Sequence, residues 1–174
     1  ALALNPEYSK AIFTKGQVYK KKGDNAKMLE NMQLAITTAT KTNDTVIIKA
    51  AKNMIGSSLN QEGIAAYNKK MYTDAETKLN SALEYGFKTK DLYYVLASSN
   101  NSLKKYDDAI AAANAGMALD EQTNEKLARY YLVIAQAYEA KKDIGNACAN
   151  YKKAAYGPNA ASVNKKIKDE LKCQ

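Results

Sequence analysis

The chain has no histidine and no tryptophan, and only two prolines and two cysteines among its 174 residues. Each absence excludes something. Without histidine, the commonest general base and metal ligand is missing. Cys148 and Cys173 are too few for a disulfide framework or a four-thiolate zinc site. A catalytic cysteine needs an activating base nearby, and none is implied, so Cys148 reads as a small packing residue. No Gly-rich phosphate loop occurs, and the carboxylates are scattered. The chain therefore reads as non-enzymatic, with no cofactor and no metal. No apolar run approaches the roughly 18 residues of a membrane span, so no span is expected in this segment. No basic-then-apolar start marks a signal peptide. Alternating strand patterns are absent, and glycine, proline and serine do not cluster into linkers.

At 46% hydrophobic and 25% charged, the chain has a globular composition. The net charge is +8, carried mostly by the two ends: +4 for residues 1–50, +1 for 51–100, −1 for 101–150 and +4 for 151–174. A nucleic-acid groove usually carries its basic stripe through the body of the fold. Here the middle is nearly neutral, and no nucleic-acid partner is expected.

What is present is a repeated phrase. KKGDNA covers Lys21 to Ala26, KKMYTDA Lys69 to Ala75, KKYDDA Lys104 to Ala109 and KKDIGNA Lys141 to Ala147. Ala75 and Ala109 are 34 residues apart, and Ala109 and Ala147 are 38 apart. Apolar residues recur at three- and four-residue spacings around these anchors, which is helical periodicity. Gly16, Gly63, Ala97 and Ala135 occupy one repeat position, and Ala75, Ala109 and Ala147 another. A glycine inside a helix costs about 1 kcal/mol relative to alanine, so its use implies a second helix at close range. Tyr138, Leu79 and Tyr151 would fill the space between repeats.

A 34-residue period with these small and large positions resembles the tetratricopeptide repeat (TPR) family over nearly the whole chain. The resemblance implies an all-α fold, a right-handed α-solenoid of helix–turn–helix repeats with a capping helix. We divide 1–174 as a single array. Residues 1–6 are the tail of an upstream repeat, and repeat one covers 7–41. Repeat two, 42–87, has a first helix extended from about Thr45 to Lys70, because Met28 and Ala75 are 47 residues apart. Repeat three is 88–121, repeat four 122–158 and the cap 159–174. Ala1 to Pro6 match Gly116 to Glu121 in register, so the chain is expected to begin in mid-repeat, within a longer protein. The cap carries Val163, Ile167 and Leu171 as one apolar stripe.

The lysines of the phrase sit at the end of each first helix and the acids at the start of each second. They complement the partial charges of the helix ends, at roughly 0.3–1 kcal/mol each. Such an edge presents a basic row beside an acidic row, and the acids cancel most of the field.

In the family, the first helices line a concave groove that holds an extended peptide or a partner's helix. The register places Lys10, Phe13, Gln17 and Lys20 there in repeat one, and Ser57, Asn60, Ile64 and Tyr67 in repeat two. Repeat three offers Asp91, Tyr94, Ser98 and Asn101, and repeat four Arg129, Leu132, Gln136 and Glu139. Amides pair with a peptide backbone, and tyrosine supplies rigid area with a polar tip. The chaperone-type clamp for C-terminal carboxylates needs Lys and Asn where Phe13 and Gln17 stand, so that specificity is not implied. The resemblance thus points to a protein–protein interaction scaffold with a protein or peptide partner. The alternative is a structural spacer or oligomerisation module of a larger envelope protein, since the Asn-, Lys- and Tyr-rich wording resembles bacterial cell-envelope TPR proteins.

A Cys148–Cys173 bridge is left open. Counted from Pro158 the two arms reach about 15 and 22 Å at 1.5 Å per residue, a mismatch of about 7 Å. Fraying of the last residues would be needed to close it.

Overall fold

The computed structural model describes residues 6–121 and 123–173. Among them there is no strand. Four helix pairs follow one another: α1 (Pro6–Lys21) and α2 (Asn25–Lys41), α3 (Thr45–Asn68) and α4 (Tyr72–Glu84), α5 (Lys90–Ser102) and α6 (Tyr106–Met117), α7 (Asn124–Ala140) and α8 (Ile144–Ala154). A 3-10 turn (Gly157–Asn159), the short α9 (Ala160–Lys165) and a π turn (Lys166–Glu170) complete the order. The expected tail at 1–6 lies outside the described residues except for Pro6, which opens α1. The extended α3 is 24 residues long. It starts at Thr45 as expected, where the Asp44 carboxylate accepts from the Ile47 N–H at 3.1 Å.

The chain packs as two compact units whose boundary runs through α3 and α4. The first takes the residues up to Glu62 together with Asn80–Phe87. Its core holds Ile12, Met28, Met32, Ala35, Ala51, Ile55 and Ala82, all buried. The second comprises Gly63–Leu79 and the residues from Lys88 onward. Leu79, Leu92, Leu96, Tyr130 and Tyr151 are its large buried side chains. The small positions let the helices of a pair approach. A Cβ at Gly63 would lie 2.7 Å from Leu79 Cγ, and Ala97, Ala109, Ala135 and Ala147 are fully buried.

The repeated lysines do more than the sequence suggests. Lys105 Nζ reaches the Glu76 carboxylate at 2.7 Å, and Lys141 pairs with Asp107. Each lysine therefore ties its turn to the second helix of the preceding pair. Exposed pairs of this kind contribute roughly 0–1 kcal/mol each.

The turns also carry a backbone constraint. The second residue after each first helix is left-handed: Gly23 at φ 76°, Lys70 at 61°, Lys104 at 61° and Lys142 at 62°. A non-glycine residue is disfavoured there because its Cβ crowds the backbone. Lys104→Gly is expected to raise stability by about 0.5–1 kcal/mol, and Gly23→Ala to lower it by about 1 kcal/mol. Urea unfolding followed by circular dichroism checks both. Equal midpoints for Lys104→Gly and the parent would show that this strain is absent.

The segment after Pro158 departs from a straight helix. Leu171 N–H bonds the Lys166 carbonyl at 3.0 Å, and Cys173 N–H bonds the Ile167 carbonyl at 3.0 Å. Lys172 is left-handed at φ 50°. The widened turn advances less per residue than an α-helix, and the left-handed residue turns the chain back. Cys173 thereby reaches Cys148 at a Cα separation of 5.6 Å, and the two form a disulfide. This turn removes the length mismatch that straight helical arms would leave.

Candidate functional site: the first-helix face of the second unit

The sequence-predicted binding residues divide between the two units. Phe13, Gln17 and Asn60 belong to the first; Phe13 and Gln17 are half-buried on α1. Asn60 Oδ1 is buried without a hydrogen-bond partner among the described residues. Ile64, Tyr67, Tyr94, Ser98, Asn101, Arg129, Leu132 and Gln136 belong to the second.

In the second unit, α5 and α7 lie side by side, and their equivalent positions meet. Asn101 Nδ2 donates to Gln136 Oε1 at 3.4 Å. Arg129 on α7 donates to the Asp91 carboxylate on α5 at 2.9 Å. The Arg129 guanidinium sits 5.0 Å from the Tyr94 ring centroid and 4.8 Å from that of Tyr130. Those two rings meet edge to face at 5.9 Å, an arrangement favoured by the ring quadrupoles. Tyr67, half-buried at the end of α3, packs its ring 5.8 Å from Tyr72. Burial pushes the Tyr67 hydroxyl up from its ordinary value, against a hydrogen bond with Ser98.

Two of the predicted residues are less available than the register alone suggests. Ser98 is only 9% exposed, and its hydroxyl donates to the Tyr94 carbonyl at 2.9 Å. Arg129 is held on both sides and is not a loose cation. Gln136 is exposed, and Tyr94, Asn101 and Leu132 are half-buried.

What holds Arg129 was not legible in the sequence. Asp120, in the connection between α6 and α7, is buried, and four groups converge on it. Lys90 Nζ donates at 3.1 Å, Arg129 at 2.9 Å and the Glu121 N–H at 2.9 Å. The Tyr130 hydroxyl lies 3.3 Å from its Oδ2 while donating to the Lys90 carbonyl at 3.0 Å. Burial alone would raise the Asp120 carboxyl. The bonds from Lys90, the Glu121 N–H and Arg129 outweigh it and hold it down to about 2. Burial pushes the Tyr130 hydroxyl up to about 12, with Arg129 opposing.

The charges on this face are thus matched in pairs: Arg129 with Asp91 and Asp120, and Lys166 with Glu139 at 2.9 Å. What remains is a neutral surface of tyrosine rings, primary amides and Leu132. Among the described residues, no cluster of three or more acidic, cysteine or histidine side chains is placed to hold a metal ion. No helix among them is long and apolar enough to cross a membrane.

The comparisons with known proteins agree with this architecture. The tetratricopeptide repeat model matches residues 9–42 and 128–156. No curated protein matches the chain. Among solved structures, the chain is similar to the TPR2AB domain of yeast Sti1 in complex with pHSP90. It is 20% identical, over 95% of this chain and 68% of that one, with a TM-score of 0.52. It is also similar to a chain of the APC/C hetero-tetramer Cut9-Hcn1, 24% identical over 97% of this chain, with a TM-score of 0.51. There it spans 36% of the other chain's length. At these identities the likeness is one of fold. Residues 9–42 and 128–156 match the tetratricopeptide repeat, and the fold is a TPR-type α-solenoid.

Proposed function

We propose that this chain is a non-catalytic scaffold whose first-helix face binds an extended segment of a partner protein. At the coarser level, a protein–protein interaction scaffold, the repeats themselves support it. The finer reading rests on one observation: the charges on the face of α5 and α7 are neutralised among themselves. Tyr67, Tyr94, Asn101 and Gln136 are left as its contact groups. Primary amides pair with backbone N–H and C=O groups, so an extended segment is the fitting ligand. The division into four repeats and a cap is kept as part of this proposal. The carboxylate clamp is not, since Phe13 and Gln17 stand at its positions.

The reading is tested by selecting peptides from a random display library on the protein and measuring their affinity. Asn101→Ala with Gln136→Ala is expected to weaken selected peptides at least tenfold, since two central hydrogen-bonding groups are lost. The melting temperature should change little, because the bond between the two amides is exposed and long. Raising salt from about 50 to 500 mM should weaken binding less than about threefold, since charge contributes little. Unchanged affinity in the double variant, or no enrichment of any peptide, would overturn the groove reading.

A further inference from the structure

The disulfide between Cys148 and Cys173 closes the segment 160–173 onto repeat four. It is not shielded in a core. Both cysteines are partly exposed, and they line a cleft of about 450 Å³. Ile144, Lys152, Leu171 and Lys172 form its other walls. Ile144 is 44% exposed. A thiolate approaching this cleft is an anion, and two of the side chains that line it, Lys152 and Lys172, are basic. Lys152 stands four residues after Cys148 on α8, on the same helix face, where a cation favours a thiolate at Cys148.

The segment that the disulfide holds has little else to hold it. α9 is six residues long, and a helix of that length does not persist alone in water. Only Val163 is fully covered, with Ile167 and Leu171 partly so. Lys166 adds its ion pair to Glu139. Beneath the segment lie Ala147, Tyr151 and Ala154, which are buried.

We propose that Cys148–Cys173 is a thiol–disulfide exchange site, open to a dithiol reductant in the folded protein, and that its reduction releases segment 160–173 from repeat four. In the first step a thiolate of the reductant attacks Cys173 Sγ. The S–S bond breaks, and its electron pair leaves on Cys148, which takes up the proton the attacking thiol gave to solvent. The second thiol of the reductant then attacks the mixed disulfide and frees Cys173. The cysteine pair gains two electrons and two protons, and the reductant leaves as a disulfide. Release uncovers the apolar side of α8.

The protein, purified without reductant, is treated with dithiothreitol in native buffer, alkylated and measured by mass. Both cysteines should become labelled within minutes while the helical circular dichroism is retained. Hydrogen exchange at the amides of 160–171 should then run at least tenfold faster, with α5 and α6 unchanged. Cys148→Ser with Cys173→Ser should reproduce the reduced pattern; should that variant fail to fold, the reduced parent carries the test alone. Three results would each overturn the proposal: free thiols in the oxidised protein, a disulfide that resists the dithiol until denaturant is added, or unchanged protection of 160–171 after complete reduction.

Discussion

Asp120→Asn is expected to lower stability by about 2–3 kcal/mol, or roughly 5–12 °C in melting temperature for a chain of this size. The amide keeps the shape of the carboxylate but not its charge. Lys90 and Arg129 then lose their common counter-ion, and the Tyr130 hydroxyl faces a changed partner. The loss is moderated because Arg129 retains Asp91 and Lys90 is 42% exposed. The pH dependence follows from the same carboxylate. Its value in the fold, about 2, is below the ordinary 3.8. A depressed carboxylate contributes stability above its unfolded value and loses it as pH falls through the folded one. The parent should therefore lose about 2 kcal/mol from this group between roughly pH 4 and pH 2. That component should be missing from the variant. Thermal unfolding of both proteins across this range reads the difference. Parallel acid limbs, or a variant melting within about 2 °C of the parent, would mean that the cluster is not coupled to folding.

Tyr151→Ala is expected to cost more, about 3–5 kcal/mol, as the loss of a buried aromatic ring does. Tyr151 is 1% exposed and is the largest buried side chain between α8 and the segment beyond Pro158. Ala135, Ala147 and Ala154 surround it. None of these alanines extends far enough to fill the space the ring would leave. Its hydroxyl donates to Glu139 at 2.5 Å. Burial first and then that carboxylate push it well above its ordinary value. Tyr151→Phe separates the two contributions. It keeps the ring and leaves Glu139 its bond from Lys166, so about 1 kcal/mol should be lost. Urea unfolding of the two variants reads the pair. Equal losses would place the stabilisation in the hydroxyl and not in the packing.

Much of this molecule is legible from spacing. The 34-residue interval between Ala75 and Ala109 and the small residues at Gly63, Ala97 and Ala135 depend on one helix approaching another. Steric requirements of that kind are local and repeat with the repeat, so they are written in the chain itself. The same holds for the Asp44 cap and the long α3, since a cap acts within three residues of its own position. The equivalent positions of Tyr94, Asn101, Arg129 and Gln136 also follow from register.

What register cannot supply is which of these side chains is already engaged. Register places Arg129 on the groove, yet it is bonded to Asp91 and Asp120 and lies against Tyr94 and Tyr130. Asp120 belongs to none of the positions that the repeat marks, yet it is the buried centre of that cluster. Ser98 reads as a lining hydroxyl, yet it is turned to its own helix. Each of these outcomes depends on groups 9 to 40 residues away in the chain or on the depth of burial, and neither has a local signature. The bridge between Cys148 and Cys173 is the plainest case. Straight helical arms leave the two sulfurs apart, and only the widened turn at Lys166–Glu170 and the left-handed Lys172 bring them together. The helices were determined by the sequence alone because their rules act over one or two turns. The charge balance of the face and the disulfide clasp on α8 were decided by tertiary packing, which alone brings distant charges and thiols into contact.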